Sequence, residues 1–300
     1  MKYLLQTLLL LAVFTSYARQ TSDHTLRSGG IERTYKLHLP EGLPDGAPLV
    51  VVLHGYGGQA RPESYGMNEV ADRHGFAVCY PQGEKDGRGK TCWNAGYPFQ
   101  AGMTVDDVQF ITELVAHLQQ KHRLSGHNVF CTGMSNGGEM CYQLAVQRPR
   151  LFAAVAPVSG LMLEWLYRAD DSTVPVPLFE IHGTADKTSA WEGDPENKGG
   201  WGSYLPVPLA VHHWASKDRC NRIECDTLPV GNPETGHRVV AHRFTGGTDG
   251  CEVWLYEVIG GKHSWFFDRD IDTGEELWKF FSKYVKQTEQ SPFTSSDETD

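Results

Sequence analysis

Apolar and polar positions along this chain follow two rhythms. Residues 49–53 and 76–80 are continuously apolar, as central parallel strands are, and the mainly apolar stretches at 128–132, 153–158, 178–182 and 253–259 read as further strands. Residues 31–39 alternate instead, which predicts an early antiparallel strand. Apolar residues three and four apart mark helices between the runs. One is opened by Thr104, with Asp107 as a capping-box variant and Val105, Val108, Ile111, Val115 and Leu118 along one face. Others are expected at residues 139–147, closed by Pro149, near 207–216, and at 276–286, where Thr273 and Glu276 form a second capping box. Strands alternating with helices predict an α/β fold with a mostly parallel, doubly wound sheet, in one domain without a large lid. Reactive side chains of such a fold gather at the carboxyl edge of the sheet.

That edge is where the chain places its most informative residues. Ser135 lies in Gly133-Met134-Ser135-Asn136-Gly137, between a strand and a helix. A hydroxyl on so sharp a turn projects out of the sheet, and the flanking positions take glycine because a larger side chain would strike the neighbouring strand and helix. Serine becomes a useful nucleophile only when a histidine takes its proton and an acid orients that histidine. Asp186 follows the strand run ending at His182 and Gly183, and His263 follows the run ending at Ile259 and the pair Gly260-Gly261. The chain order Ser, Asp, His is that of α/β-hydrolases. The fourth requirement is a pair of donors for the oxyanion. The loop His54-Gly55-Tyr56-Gly57-Gly58 supplies one candidate, the Tyr56 N–H, and the residue after the nucleophile supplies the other, the Asn136 N–H. His54 itself reads as a structural imidazole.

Composition narrows the setting. Forty per cent hydrophobic content in 300 residues supplies an ample core. Met1-Lys2, an apolar stretch to Phe14 and Ser16-Tyr17-Ala18 have the form of an export leader cut after residue 18, which predicts a secreted or periplasmic protein without a membrane span. A catalytic domain over residues 19–289 and an acidic tail without fixed structure, residues 290–300, complete the expected organisation. The formal charge of −10, with no dense basic cluster, disfavours nucleic acid as a partner. A monomer acting on an ester substrate is expected. Asp106 and Asp107 read as helix caps rather than a reactive carboxylate pair. The segment 83–91 has five residues between Gly83 and Gly89 where a phosphate loop has four, and the adjacent His212-His213 do not face one metal. No cofactor or metal is called for.

Seven cysteines in an exported chain predict disulfides with at least one thiol left over. Cys79 and Cys131, inside apolar runs, read as buried thiols. A Cys220–Cys251 bridge is the favoured pairing, with Cys225 as the rival partner.

Taken with Cys-Trp-Asn-Ala-Gly at 92–96, Gly-Met-Ser-Asn-Gly-Gly at 133–138, His-Gly-Thr-Ala-Asp at 182–186 and Gly-Gly-Lys-His-Ser-Trp at 260–265, the chain resembles the secreted esterases of carbohydrate esterase family 1. That group includes feruloyl and acetylxylan esterases and related polyhydroxybutyrate depolymerases. The resemblance covers about residues 30–286 and implies Ser135 as nucleophile, Asp186 as acid and His263 as base. Lys262 and Phe266 stand where the family often has glycine and proline, and Tyr97-Pro98-Phe99 replaces a common cysteine pair, so the acyl pocket is expected to differ in shape. Trp93, Asn94, Trp191 and Trp265 are the candidate substrate contacts. Trp201 and Tyr204 lie in similar loops, and Trp265 is expected to form a pocket wall. With no separate adsorption domain in sight, a soluble or plant-wall ester, feruloyl or acetyl on xylan-type carbohydrate, is preferred to a solid polyester.

Overall fold

A computed structural model describes residues 21–287; the leader and the acidic tail expected from the sequence lie outside the described residues. In chain order the elements are β1 (Ser22–Ser28), β2 (Ile31–His38), β3 (Leu49–Leu53), α1 (Met67–His74), β4 (Ala77–Pro81), β5 (Glu84–Lys85), β6 (Thr91–Cys92), α2 (Asp107–His122), β7 (Val129–Met134), α3 (Asn136–Gln147), β8 (Ala154–Val158), α4 (Glu164–Ala169), β9 (Leu178–Gly183), α5 (Val207–Lys217), β10 (Arg222–Leu228), β11 (Arg238–Thr245), β12 (Val253–Ile259) and α6 (Thr273–Phe281). Ten strands form one sheet in the order β1-β2-β4-β3-β7-β8-β9-β12-β11-β10, and β5 pairs with β6 apart from it. From β4 to β12 the pairing is parallel; β1 and β2 on one margin and β10 and β11 on the other are antiparallel.

The uninterrupted apolar strands are explained by helices on both faces. Along β3, Leu49, Val51 and Leu53 point into a layer shared with α2, α3 and α5, whereas Val50 and Val52 point into a layer shared with α1 and α6. Both faces being dry, neither parity of the strand tolerates a polar side chain.

Two helix starts differ from expectation. The cap of α2 is Asp106, whose carboxylate accepts the Gln109 N–H at 2.8 Å, and Thr104 and Val105 precede the helix. Asp107 is no cap: it turns inward to Arg33 (2.7 Å), and both residues are buried. The last helix begins at Thr273, capped by Asp272 rather than by Thr273. It ends at Phe281, and a single 3-10 turn, Ser282–Tyr284, follows. In each case the aspartate just before the helix competes successfully because its short carboxylate reaches the third N–H without bending the chain.

The cysteines are free thiols. Cys220 and Cys251 are neighbours, as the favoured pairing requires, but Cys220 Sγ faces the carbonyl of Cys251 (3.7 Å) and Cys251 Sγ donates to Asp218 Oδ2 (3.0 Å), so no bridge joins them. Cys225, the rival partner, is exposed on β10 and faces His242.

Candidate active site

Strand β7 delivers Ser135 to the sheet edge in a conformation that few non-glycine residues adopt, φ 56° and ψ −123°. Such backbone costs about 1–3 kcal/mol and persists only where its surroundings hold it. Here the Ser135 N–H donates to Val158 O (2.9 Å), and its carbonyl accepts the N–H groups of Gly138 (2.6 Å) and Glu139 (3.0 Å). The flanking glycines are steric necessities. A Cβ on Gly137 would lie 2.3 Å from Leu53 O, and one on Gly133 would lie 2.6 Å from Gly137 O.

The glycine loop after β3 comes directly over this turn. A Cβ built on Gly55 would stand 3.4 Å from Ser135 Cβ and 4.0 Å from its Oγ. His54 anchors the loop from below. Its Nε2 accepts the Gly83 N–H (2.9 Å), so the proton resides on Nδ1, which donates to Gly55 O (2.8 Å). Burial pushes the pKa of this ring down to about 4, in keeping with a neutral, structural imidazole. The N–H groups of Tyr56 and Asn136 donate to no acceptor among the described residues.

Trp93 joins the two halves of this pocket floor. Its indole donates to His54 O (2.8 Å), its backbone N–H donates to Asn136 Oδ1 (2.7 Å), and Asn136 Nδ2 donates back to Trp93 O (3.1 Å). The ring is fully buried. It holds the site together and offers no face to a substrate, which corrects one expectation. Asn94 is likewise a brace, with its N–H on Asp107 Oδ2 (2.7 Å) and its side-chain amide on Val105 O (3.1 Å). Trp265 is buried too, with its indole on Tyr65 O (3.0 Å) and its ring edge-on to Tyr65, because the chain after His263 dives into the layer containing α1 and α6. A pocket wall is not its place. Tyr204 is also core, its hydroxyl accepting the Ala190 N–H.

Asp186 and His263 meet. Asp186 leaves the end of β9, is 5% exposed, and accepts the N–H groups of Thr188 (2.7 Å) and Ser189 (2.8 Å) on Oδ1. Its Oδ2 accepts Nδ1–H of His263 at 2.7 Å. The two loops touch so closely that a Cβ on Gly183 would come within 2.3 Å of Gly261 O. Ser159 Oγ, at the end of β8, donates to Ser264 O (3.3 Å) and so ties the histidine loop to the strand beside β7. The Ser135 hydroxyl and the His263 ring form no hydrogen bond among the described residues. Nucleophile and base are often out of line until substrate is bound.

Behind Asp186 lies a pair that sequence reasoning missed. His182 Nε2 donates to Ser189 O (2.8 Å), and Nδ1 faces Glu180 Oε1 (2.8 Å), which also receives the Gly160 N–H (3.2 Å). Burial opposes charge on the ring, but the bond and charge of Glu180 outweigh it and hold the His182 pKa above its ordinary value. His182 Nε2 also stands 3.6 Å from Asp186 Oδ2, the same carboxylate oxygen that His263 meets.

The half-buried aromatic surface nearest the glycine loop is formed by Tyr56, Phe99 and Trp201, with ring centroids 5.4 to 5.8 Å apart. Tyr56 OH donates to Asp86 Oδ2 (2.6 Å), and the Arg88 guanidinium covers Phe99 at 3.8 Å. Of the aromatic loop residues singled out in the sequence, Trp201 belongs to this surface. Trp191 is half-buried elsewhere in the same layer, edge-on to His182, and lines a groove beside α5. Among the described residues no helix is long and apolar enough to cross a membrane, and no three His, Cys, Asp or Glu side chains are grouped to hold one metal ion.

Comparison with known proteins agrees with this architecture. The family model described as "Esterase PHB depolymerase" matches residues 33–173. "Putative esterase NocK" of Nocardia uniformis subsp. tsuyamanensis is 36% identical over 256 residues, which are 79% of this chain and 71% of that protein. "Bifunctional acetylxylan esterase/xylanase XynS20E" of Neocallimastix patriciarum is 28% identical over 169 residues, 56% of this chain and 23% of that much longer protein. Among solved structures, acetyl xylan esterase from Aspergillus awamori superposes with a TM-score of 0.63 at 17% identity, over 87% of this chain and 99% of that one.

Proposed function

The chain belongs to the esterase PHB depolymerase family, and from that premise we propose that it is a serine carboxylesterase acting on carbohydrate-linked esters through an acyl-serine intermediate. The observation that carries the reading is the 2.7 Å bond between a buried Asp186 and His263, at the same sheet edge as the strained Ser135. With Nδ1–H held by the carboxylate, the other ring nitrogen is left with its lone pair, as a base for a hydroxyl requires.

In the proposed sequence His263 takes the Ser135 proton as the oxygen attacks the ester carbonyl. The Tyr56 and Asn136 N–H groups receive the oxyanion, and their freedom from other acceptors supports that role. The imidazolium then protonates the departing alcohol. Water, deprotonated by the same ring, releases the acid and restores the serine. Asp186 keeps the ring oriented, and its two backbone donors keep Asp186 in place.

For the substrate, the support is the aromatic surface of Tyr56, Phe99 and Trp201 beside the glycine loop, since flat rings stack on sugar faces and hydroxycinnamoyl groups alike. Feruloyl or acetyl groups on xylan-type polysaccharide are the class proposed, for a secreted or periplasmic monomer. The family's other chemistry, polyester hydrolysis, is the second reading. Purified enzyme is to be assayed on p-nitrophenyl acetate, methyl ferulate, acetylated xylan and poly(3-hydroxybutyrate), with Ser135→Ala as control. The expected loss in that control is on the order of 10⁶ in kcat. Efficient release of hydroxybutyrate with methyl ferulate and acetylated xylan untouched would overturn the substrate class. Near-normal hydrolysis by Ser135→Ala would overturn the mechanism.

A further inference from the structure

At the β10 margin of the sheet, three reactive side chains stand in line on β10, β11 and β12. Cys225 on β10 faces its cross-strand partner His242 on β11, with Sγ 3.4 Å from Nδ1. The other ring nitrogen, Nε2, lies 2.9 Å from Glu257 Oε2 on β12. The registers Ile223↔Phe244, Cys225↔His242 and His242↔Leu255, with the two-residue period of strands, put all of these on one face. That face borders a groove of about 270 Å³ against α5, lined by His242 and Glu257 together with apolar Trp191, Val211, Phe244 and Leu255. Of the seven cysteines, Cys225 is the exposed one; the others are wholly or partly buried.

We propose that Cys225 is a nucleophilic thiol served by His242, with Glu257 fixing the ring, and that this site exchanges with small organic disulfides whose apolar part lies in the groove. A carboxylate on Nε2 draws the ring proton to that nitrogen and leaves the Nδ1 lone pair facing the thiol. A metal centre is the wrong reading of the same residues, because the ring turns opposite edges to the sulfur and to the carboxylate. Exchange at sulfur, unlike acyl transfer, needs no donors for an oxyanion. His242 takes the thiol proton, and the thiolate attacks one sulfur of the disulfide. The new S–S bond forms as the old one breaks, and the departing thiolate recovers the proton from the imidazolium. The disulfide is itself the oxidant, so nothing else is consumed.

The test uses the full-length protein and the aromatic probe 2,2′-dithiodipyridine near neutral pH, following release of pyridine-2-thione and locating the mixed disulfide by peptide mass. One fast phase per chain is expected, at Cys225 and absent from Cys225→Ser. An ordinary thiol is only a few per cent thiolate near neutrality, and lower basicity returns part of the gain in reactivity, so His242→Ala is expected to slow the phase about threefold or more. Hydrolysis of p-nitrophenyl acetate stays at the wild-type rate in both variants. A fast phase on another cysteine, one that survives Cys225→Ser, or a His242→Ala rate within about threefold of wild type overturns the proposal. If circular dichroism shows that His242→Ala has lost its fold, Glu257→Gln, which keeps the ring and removes its charged partner, bears the same criterion.

Discussion

Gly137→Ala adds one methyl group at the most crowded point of the site. The new carbon would sit 2.3 Å from Leu53 O and 2.9 Å from His54 O, where ordinary contact begins near 3.4 Å, so α3 and the end of β3 must part by about 1 Å. Both obstacles are backbone and cannot rotate aside. Overpacking of this kind costs about 1–3 kcal/mol, and a rigid backbone contact belongs at the upper end. Alanine returns about 1 kcal/mol through helix propensity, which the clash exceeds. A net loss of about 2 kcal/mol, with a urea slope of about 3 kcal/mol/M, moves the unfolding midpoint down by roughly 0.7 M. Activity should suffer more, since Gly55 and the Tyr56 N–H ride on the displaced strand end, and a 1 Å misplacement of reacting groups costs about 10²-fold. Urea unfolding and p-nitrophenyl acetate kinetics measure the two effects. Gly102→Ala, where a Cβ meets nothing within 4 Å, is the control and should match wild type. A Gly137→Ala protein with an unchanged midpoint and unchanged kcat/KM would refute the steric account of the turn.

Further outcomes follow from the same geometry. Asp186→Asn should lower kcat about 10⁴-fold with little change in KM, because the ring then settles in the wrong tautomer; steady-state kinetics within tenfold of wild type would remove Asp186 from the mechanism. Glu139, wholly buried against Tyr97, has its pKa pushed up to about 8 by burial. The folded state therefore keeps a proton that the unfolded chain releases near pH 4.5, and stability falls as pH rises from about 4.5 towards 8. Glu139→Gln should flatten that decline, which thermal melts at pH 5 and pH 8 would reveal; an identical slope in the two proteins would contradict it. Arg33→Met should destabilise by about 3–5 kcal/mol in urea titrations, since it strands the buried Asp107, and Asp107→Leu added to it should recover much of the loss.

What the sequence revealed depended on burial. Central strands were legible because both faces are dry, so β3, β4 and β7 read as apolar runs whatever surrounds them. The margins were not. Strand β10 is exposed over nearly its whole length, and although Arg-Ile-Glu-Cys-Asp-Thr-Leu alternates, its one large apolar residue before Leu228 is Ile223, too little to mark it against a loop. Helix α1 is eight residues between two glycines in left-handed conformation, and its stripe is only Met67, Val70 and Ala71. The positions of Ser135, Asp186 and His263 at strand ends were readable, since glycines punctuate each one. The fates of Trp93 and Trp265 were not, because a loop tryptophan becomes wall or core according to what packs over it. Glu180 and His182 did leave a signal: two ionisable residues two apart in an otherwise apolar strand share one face and must satisfy each other there.

The parallel ladder between β9 and β12, with Ile181 opposite Tyr256 and Gly183 opposite Val258, has a consequence for how this scaffold diversifies. Asp186 and His263 emerge from adjacent strands, so the distance between them is inherited from the mesh of the sheet and not from the length of any connection. The long excursions at residues 82–106 and 187–206 are therefore open to change in length and aromatic content wherever they do not brace the site, as Gly83, Trp93, Thr188 and Ser189 do. Selectivity can drift there across many related chains while the carboxylate and imidazole remain in register.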